Sequence, residues 1–258
     1  MASIGTGYDL SSTIFSPDGR VFQIEYATKA VENSGTCMGI RCKDGVLLAV
    51  EKTIISKMLV PGSLRRAHIV DKHASLVVCG LISDGRVIVD RAREECENYL
   101  DFYGRPIPGA ILADRLAHFV HLYTLHWSVR PFGCAILLGV HNGEKQGAQL
   151  YMIEPSGVSY RYFACAYGKG KQAARTELEK LSLNDKQASP QISCEQAVKD
   201  LAKIVVSVHD DSKDKEYEIE MIWVRDGKPA AMVPRDVVQK VHDEAKREAE
   251  ADSDMEDE

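Results

Sequence analysis

Two sets of residues have types and spacings that could support metal or phosphate chemistry. Asp114, His118 and His121 lie at i, i+4 and i+7, which would place a carboxylate and two imidazoles on one helix face. The same spacing fits exposed polar positions on an amphipathic helix. Gly168-Lys169-Gly170-Lys171 combines glycine with cations as a phosphate-binding loop does, but it lacks the GxxxxGK[ST] and GxGxxG spacings. We therefore expect neither a metal nor a cofactor.

Cysteine, arginine and serine side chains supply three further candidates. Cys134 or Cys165 with a histidine would suggest a thiol hydrolase, but no sequence feature places such a pair together. Arg65-Arg66 offers charge-assisted donors suited to a carboxylate, although a solvated basic pair is the alternative. Ser253 lies among acidic residues, which suits an acidophilic kinase and equally suits an unmodified solubilising tail.

The composition is that of an ordinary globular protein, with 45% hydrophobic and 27% charged residues in a chain of 258. A net charge of −6 argues against nucleic-acid binding and against docking on an anionic membrane. Seven cysteines without a CxxC pair indicate free thiols in a reducing compartment. The first ten residues show no signal-peptide pattern, so we expect a cytoplasmic and nuclear protein.

The elements that would position these residues follow from hydrophobic spacing and turn signals. Apolar residues three and four apart predict helices, and alternating or short apolar runs bounded by Gly, Pro or Asp predict strands. The predicted helices span 19–33, 84–102, 110–126, 169–181, 194–209 and 234–250, and the predicted strands span 36–41, 46–51, 68–71, 75–79, 134–141, 148–154, 158–164 and 217–224.

This order shows no regular βαβ alternation, which argues against a parallel doubly wound sheet. We predict an α+β protein in which two antiparallel sheets pack together with helices outside, a four-layer αββα sandwich. The domain would span 19–244, after a mobile N-terminal arm over 1–18. Residues 245–258 are strongly acidic and lack aromatic residues, which predicts a disordered tail.

Several separated motifs carry a family resemblance. Gly7-Tyr8-Asp9, Phe15-Ser16-Pro17-Asp18-Gly19-Arg20 and Gln23-x-Glu25-Tyr26-Ala27 closely resemble the signature of proteasome α subunits. The similarity continues at Gly80-Leu81 and Arg130-Pro131-Phe132-Gly133, and it covers nearly the whole chain.

The resemblance implies a fold of the N-terminal-nucleophile hydrolase type with no catalytic residue. It implies partners in a hetero-heptameric ring of α subunits, in a stacked β ring, and among regulatory-particle ATPases and other activators. The implied roles are ring assembly, gating of substrate entry and docking of regulators, in ubiquitin-dependent and ubiquitin-independent protein degradation.

The resemblance also implies roles for individual residues. Tyr8, Asp9, Pro17 and Tyr26 match the family positions that hold the open-gate arm. Tyr26 offers a hydroxyl, Asp9 accepts hydrogen bonds, and Pro17 fixes φ at the turn. Tyr26 and Pro17 would also suit a purely structural role in packing and capping the first helix. Leu10 replaces the family's usual arginine, so this arm is expected to contribute less to the closed gate.

The same resemblance implies a regulator-docking pocket between adjacent α subunits. Its basic residue falls at or near Arg66, with Gly80 and Leu81 as the wall. The family's more typical residue is lysine, and arginine replaces that point charge with a planar fork of donors.

The β-type relatives cut peptides with an N-terminal threonine, whose own amine serves as the base. Here the matching nucleophile position is Gly35, which has no hydroxyl, and Thr36 lies inside a continuous chain. Glu51 replaces the partner carboxylate with a longer side chain. The resemblance therefore implies a non-catalytic role.

Two other interpretations stay open at this point. One is a self-contained hydrolase of the same fold with an unusual nucleophile, for which Cys37 is the nearest alternative, two positions from the expected one. The other is a free-standing module that binds regulators as a stable monomer.

Overall fold

The structure, a computed structural model, describes residues 7–143, 147–181, 192–209 and 216–256, with the backbone alone for 252–256. These residues form six helices and ten strands. In chain order they are α1 (Phe22–Glu32), β1 (Cys37–Cys42), β2 (Gly45–Thr53), β3 (Ala67–Asp71), β4 (Ala74–Gly80), α2 (Ile82–Tyr103), α3 (Gly109–Leu122), β5 (Cys134–His141), β6 (Ala148–Ile153), β7 (Ser159–Tyr162), β8 (Ala164–Tyr167), α4 (Lys171–Lys180), α5 (Cys194–Val208), β9 (Tyr217–Arg225), β10 (Ala231–Met232) and α6 (Arg235–Glu256).

The strands form two five-stranded antiparallel sheets that pack face to face. One sheet has the order β10-β9-β2-β1-β8, and the other has the order β3-β4-β5-β6-β7. Helices α4, α5 and α6 cover the outer face of the first sheet, and α2 and α3 cover the outer face of the second. This four-layer arrangement confirms the predicted αββα fold class.

Strand β2 shows why the sheets pack this way. Val46, Leu48 and Val50 join the core between the two sheets, while Leu47 and Ala49 join the core under the helices. Successive strand residues point to opposite faces, so a continuous apolar run buries both faces at once. The Lys43-Asp44 turn pairs β1 with β2 from Cys42↔Gly45 onward, as the Asp-Gly step predicted.

One predicted strand is two strands in the structure. The run 158–164 ends its pairing with β6 at Leu150↔Tyr162, and the chain then crosses to pair with β1 from Ile40↔Ala164. Phe163 marks the crossing, where its carbonyl accepts a hydrogen bond of 2.8 Å from the Arg41 amide. Apolar alternation continues through a crossing of this kind, so the pattern alone could not reveal it.

The last helix corrects the prediction of a disordered segment from residue 245. Helix α6 continues to Glu256, Ala245 is buried, and Lys203 forms an ion pair with Glu248. Alanine, glutamate, lysine and arginine are strong helix formers, and here their propensity outweighs the repulsion of like charges. Residues 257–258 lie outside the described part of the chain. Among the described residues, no helix is both long enough and apolar enough to cross a membrane.

A buried carboxylate fixes the chain before β5 to the start of α2. Arg130 donates from Nη1 to Asp84 Oδ2 (2.6 Å) and from Nη2 to Oδ1 (2.9 Å), and the Gly133 amide donates to Oδ2 (2.8 Å). The Arg130 hydrogen bonds, helped by the Gly133 amide, hold the pKa of Asp84 below its usual value despite its burial.

Replacing this carboxylate should therefore destabilise the fold. We expect Asp84→Ala to lower the free energy of unfolding by about 1–3 kcal/mol, because the buried Gly133 amide loses its acceptor. Urea denaturation of the full chain at neutral pH measures this. Because the pKa of Asp84 is lower in the folded state, its contribution is present above its unfolded-state pKa and lost as the pH falls through the folded value.

The matched control is Asp101→Ala, on the exposed face of the same helix. Equal losses for the two variants would show that Asp84 has no special role in stability.

Candidate functional site

The N-terminal arm enters α1 through a tight turn. The Gly19 amide donates to the Ser16 carbonyl (2.9 Å), which places Pro17 at the second position of a four-residue turn. Proline suits that position because its φ is preset, and Gly19 has φ +75°, which favours glycine. The Arg20 amide also donates to Ser16 Oγ (3.0 Å). The sequence therefore folds locally into a rigid bend before the helix.

Helix α1 holds the arm at Asp9. Tyr26 donates its hydroxyl to Asp9 Oδ2 (3.1 Å), and Gln23 donates its side-chain amide to the Asp9 carbonyl. Partial desolvation, and then the bond to Asp9, raise the pKa of the Tyr26 phenol. The ring of Tyr26 stacks on Phe22 at a centroid distance of 6.2 Å. This arrangement keeps the phenol a neutral donor.

The structure thus brings together two of the four predicted gating residues. Tyr8 and Pro17 lie in the same arm and are exposed, and no hydrogen bond or ring contact among the described residues joins them to Asp9 or Tyr26. Gln23 is a partner that the sequence reasoning did not assign, although it lies inside the quoted motif.

A second centre lies where β1 begins. The Thr36 amide donates to Glu51 Oε2 (3.1 Å), and the Glu51 amide donates to the Thr36 carbonyl (2.8 Å). A Cβ at Gly35 would lie 2.3 Å from the Glu51 carbonyl oxygen, so this position has room only for glycine. Thr36 itself is buried, and its hydroxyl accepts a hydrogen bond from the Gly170 amide (3.2 Å).

Glu51 has a further partner that sequence reasoning missed. His209 Nδ1 lies 2.6 Å from Glu51 Oε1, and the side chains are 2% and 8% exposed. The His209 ring packs on Tyr217, with centroids 3.9 Å apart. No local pattern links residues 158 positions apart, so no signal in a single sequence could have found this pair.

Of the predicted docking residues, Arg66 lines a cavity of about 460 Å³ beside this centre, and Gly80 and Leu81 do not. Its lining includes Gly35, Arg66, Lys169 and Ile82. Arg66 Nη1 donates to the Gly80 carbonyl at 2.8 Å.

Gly80 has φ +106°, and a Cβ there would lie 2.3 Å from the Gly133 carbonyl oxygen, so glycine is required. Leu81 follows it at the start of α2 and is about half-exposed, but it does not line the cavity. The structure thus brings Arg66 and Gly80 together, and Leu81 lies outside the lining of the cavity.

The remaining candidates do not converge on a site. His118 Nδ1 lies 3.6 Å from Asp114 Oδ1, whereas His121 Nδ1 lies 3.0 Å from Thr124 Oγ1. In the part of the chain that the structure describes, no group of three or more His, Cys, Asp or Glu side chains is placed to hold a metal. Ser253 falls within α6, but its side chain is outside the described residues.

Two family models together match residues 8–224 of the chain. The model for the proteasome subunit matches residues 31–224, and the model for the N-terminal signature of α-type proteasome subunits matches residues 8–30. The chain belongs to the proteasome α-subunit family. Membership implies assembly with other proteasome subunits in a ring, and α-type subunits are generally non-catalytic.

Curated relatives agree over nearly their full lengths. The chain is 58% identical over 226 residues to "Proteasome subunit alpha type-3" of Spinacia oleracea, which covers 88% of each chain. It is 54% identical over 258 residues to the protein of the same name in Acanthamoeba castellanii, and the aligned region covers 99% of each protein. It is also 47% identical over 257 residues to "Probable proteasome subunit alpha type-7" of Saccharomyces cerevisiae, which covers 98% of this chain and 88% of that protein.

The close approach of the Glu51 carbonyl to Gly35 implies that a side chain at position 35 would destabilise the fold. We expect Gly35→Ala to lower the free energy of unfolding by about 1–3 kcal/mol, because the added methyl would displace the Glu51 carbonyl and disturb the β1–β2 pairing. Thermal denaturation of the full chain measures the effect.

The neighbouring Asn33→Ala is the control, since Asn33 is exposed at the end of α1. A Gly35→Ala variant as stable as the wild type would show that the Glu51 carbonyl does not exclude a side chain at position 35.

Proposed function

We propose that this chain is a non-catalytic structural and gating component of the α ring of the 20S proteasome core. It would serve ubiquitin-dependent and ubiquitin-independent protein degradation, in the cytoplasm and nucleus. The hydrogen bonds that tie Asp9 of the arm to α1 carry the gating proposal. The type-3 and type-7 names of the relatives support one fixed place in the ring, the seventh. The seven buried free thiols support a reducing compartment.

The geometry at the start of β1 supports the absence of catalysis. A peptide-cutting threonine needs a free amine and an exposed hydroxyl. Gly35 supplies no hydroxyl, and the Thr36 nitrogen is a backbone amide committed to Glu51. The Glu51 carboxylate is in turn shared with buried His209. These groups serve the packing of β1 against β2 and α5.

The contacts that hold the arm are weak enough to break and re-form reversibly. The Tyr26–Asp9 bond is solvent-exposed, and one such hydrogen bond contributes about 0.5–1.5 kcal/mol. Forming or losing it would shift the ratio of held to released arm by about 2–12-fold. Leu10 and Phe15 are 81% and 70% exposed, which leaves apolar contacts available to neighbouring arms in the ring.

Gating is tested in assembled particles whose subunit composition is verified by native mass spectrometry. We expect deletion of residues 1–13 to leave assembly intact and to raise basal hydrolysis of a fluorogenic peptide modestly, because one arm no longer obstructs entry.

We expect Tyr26→Phe to lower activator-stimulated hydrolysis, because the stacking on Phe22 is kept while the bond to Asp9 is lost.

Tyr160→Phe, at an exposed position of β7, is the matched control. Unchanged hydrolysis after the deletion would remove this arm from the gate. A free monomer or homodimer that hydrolyses peptides by itself would overturn the non-catalytic proposal.

The cavity beside Arg66 supports docking of a regulator's C-terminus. Arg66 uses Nη1 for the backbone of β4, and among the described residues no hydrogen bond from Nε or Nη2 is present. Those nitrogens could donate to a terminal carboxylate, with Lys169 as a second cation on the cavity wall.

We expect Arg66→Met to reduce photo-crosslinking of a regulator's C-terminal peptide to this chain by about tenfold, since a charge-assisted bond is lost. Arg66→Lys should retain part of it, and the exposed Lys72→Met should retain all of it. An amidated peptide should bind the wild type as weakly as the free acid binds Arg66→Met. Equal crosslinking by free-acid and amidated peptides would contradict the carboxylate assignment.

A further inference from the structure

A second cavity, of about 770 Å³, opens at one edge of the sandwich. It lies between edge strand β3, strand β9 and helix α6, and its apolar lining includes Ile219, Val233 and Val238. Its volume is within the usual range for small-molecule sites. The resemblance to proteasome subunits assigned no role to this edge of the fold.

Cations dominate the side chains around this cavity. Arg65, in the loop before β3, Arg93, on α2, and both Arg235 and Lys246, on α6, line it. Among the ion pairs of the described residues, only Arg93 of these four has an acidic partner, Asp90 at 3.5 Å. Three cations are therefore available to a ligand in a chain whose net charge is −6.

The three acidic residues that line the cavity, Glu218, Glu220 and Asp243, each have a partner within the protein, and Asp243 accepts a hydrogen bond from Gln239 Nε2 (2.9 Å). Glu220 Oε2 accepts the Arg66 amide (2.9 Å) and the Ala67 amide (3.1 Å). Glu218 pairs with the ammonium group of Lys52 at 3.2 Å. These carboxylates keep their charge, but the five cations that line the cavity, Lys52 included, outnumber its three acidic residues.

A histidine adds a directional polar group to the cavity wall. His68 Nε2 is buried and has no hydrogen-bond partner among the described residues. Burial, and then the nearby Arg93 guanidinium, lower the pKa of His68, so the ring is neutral at pH 7. A neutral imidazole with its proton on Nε2 can donate a hydrogen bond to a phosphate oxygen.

We propose that this cavity binds a small molecule that carries several phosphate groups. Guanidinium forks match phosphate oxygens bidentately, and Arg65 and Arg235 supply two of them around this cavity, with Lys246 as a third cation. A single phosphate would engage only part of this arrangement, so the site favours a ligand with charges spread over a chain or ring.

The test uses the recombinant full chain and sodium tripolyphosphate in isothermal titration calorimetry at low ionic strength. We expect one site per chain, tighter binding of tripolyphosphate than of orthophosphate, and weakening by added salt. The double variant Arg65→Gln/Lys246→Gln should bind about tenfold more weakly, because two charge-assisted contacts are lost. His68→Asn, which leaves the net charge of the protein unchanged, should also weaken binding.

The control Arg105→Gln/Lys228→Gln removes the same charge from exposed positions outside the cavity. If the control and test variants weakened tripolyphosphate binding equally, the effect would be one of overall charge, and the proposal of a specific site would be wrong. Tighter binding of hexaglutamate than of tripolyphosphate would also overturn it, in favour of an acidic peptide. Unaltered circular dichroism verifies that each variant is folded.

Discussion

The double burial of strand β2 is the constraint on which the rest of this structure depends. Val46, Leu48 and Val50 pack against the second sheet, and Leu47 and Ala49 pack under the helices, so β2 cannot shift by one residue without exchanging the two sets. Its fixed register sets the position of β1 on one side and of β9 on the other. The polar centre at Thr36 and Glu51 lies where β1 begins, beside β2.

Glu51 connects that constraint to the start of β1. It lies on β2, accepts the Thr36 amide, and meets His209 just beyond α5. A buried carboxylate persists only when its oxygens are satisfied, and here each of the two has a partner from a different part of the chain. The contact that excludes a side chain at Gly35 comes from the carbonyl of the same residue. The polar groups at the start of β1 therefore hold β1, β2 and the end of α5 together, as the non-catalytic role proposed above requires.

The sequence correctly predicted those features that depend on residues close together in the chain. Helix α1, the β1–β2 hairpin and the turn at Pro17 rest on residues a few positions apart, and each formed close to its predicted bounds. The crossing at Phe163 and the Glu51–His209 pair depend on contacts between distant segments, which periodicity cannot encode. In the last helix, composition indicated disorder, whereas helix propensity and the packing of Ala245 against the domain decided the outcome.

The two ends of α1 differ in the strength of their contacts, and this difference suits the gating role proposed above. Val31, near the C-terminal end, is fully buried in the core between the sheets, so the helix cannot move independently of the sandwich. Tyr26, one to two turns earlier, holds Asp9 through an exposed bond that water can replace at little cost. An arm released from Asp9 would therefore leave the fold unchanged. In the proposed gate, only weak, exposed contacts would change, while the helix that carries them stays anchored in the core.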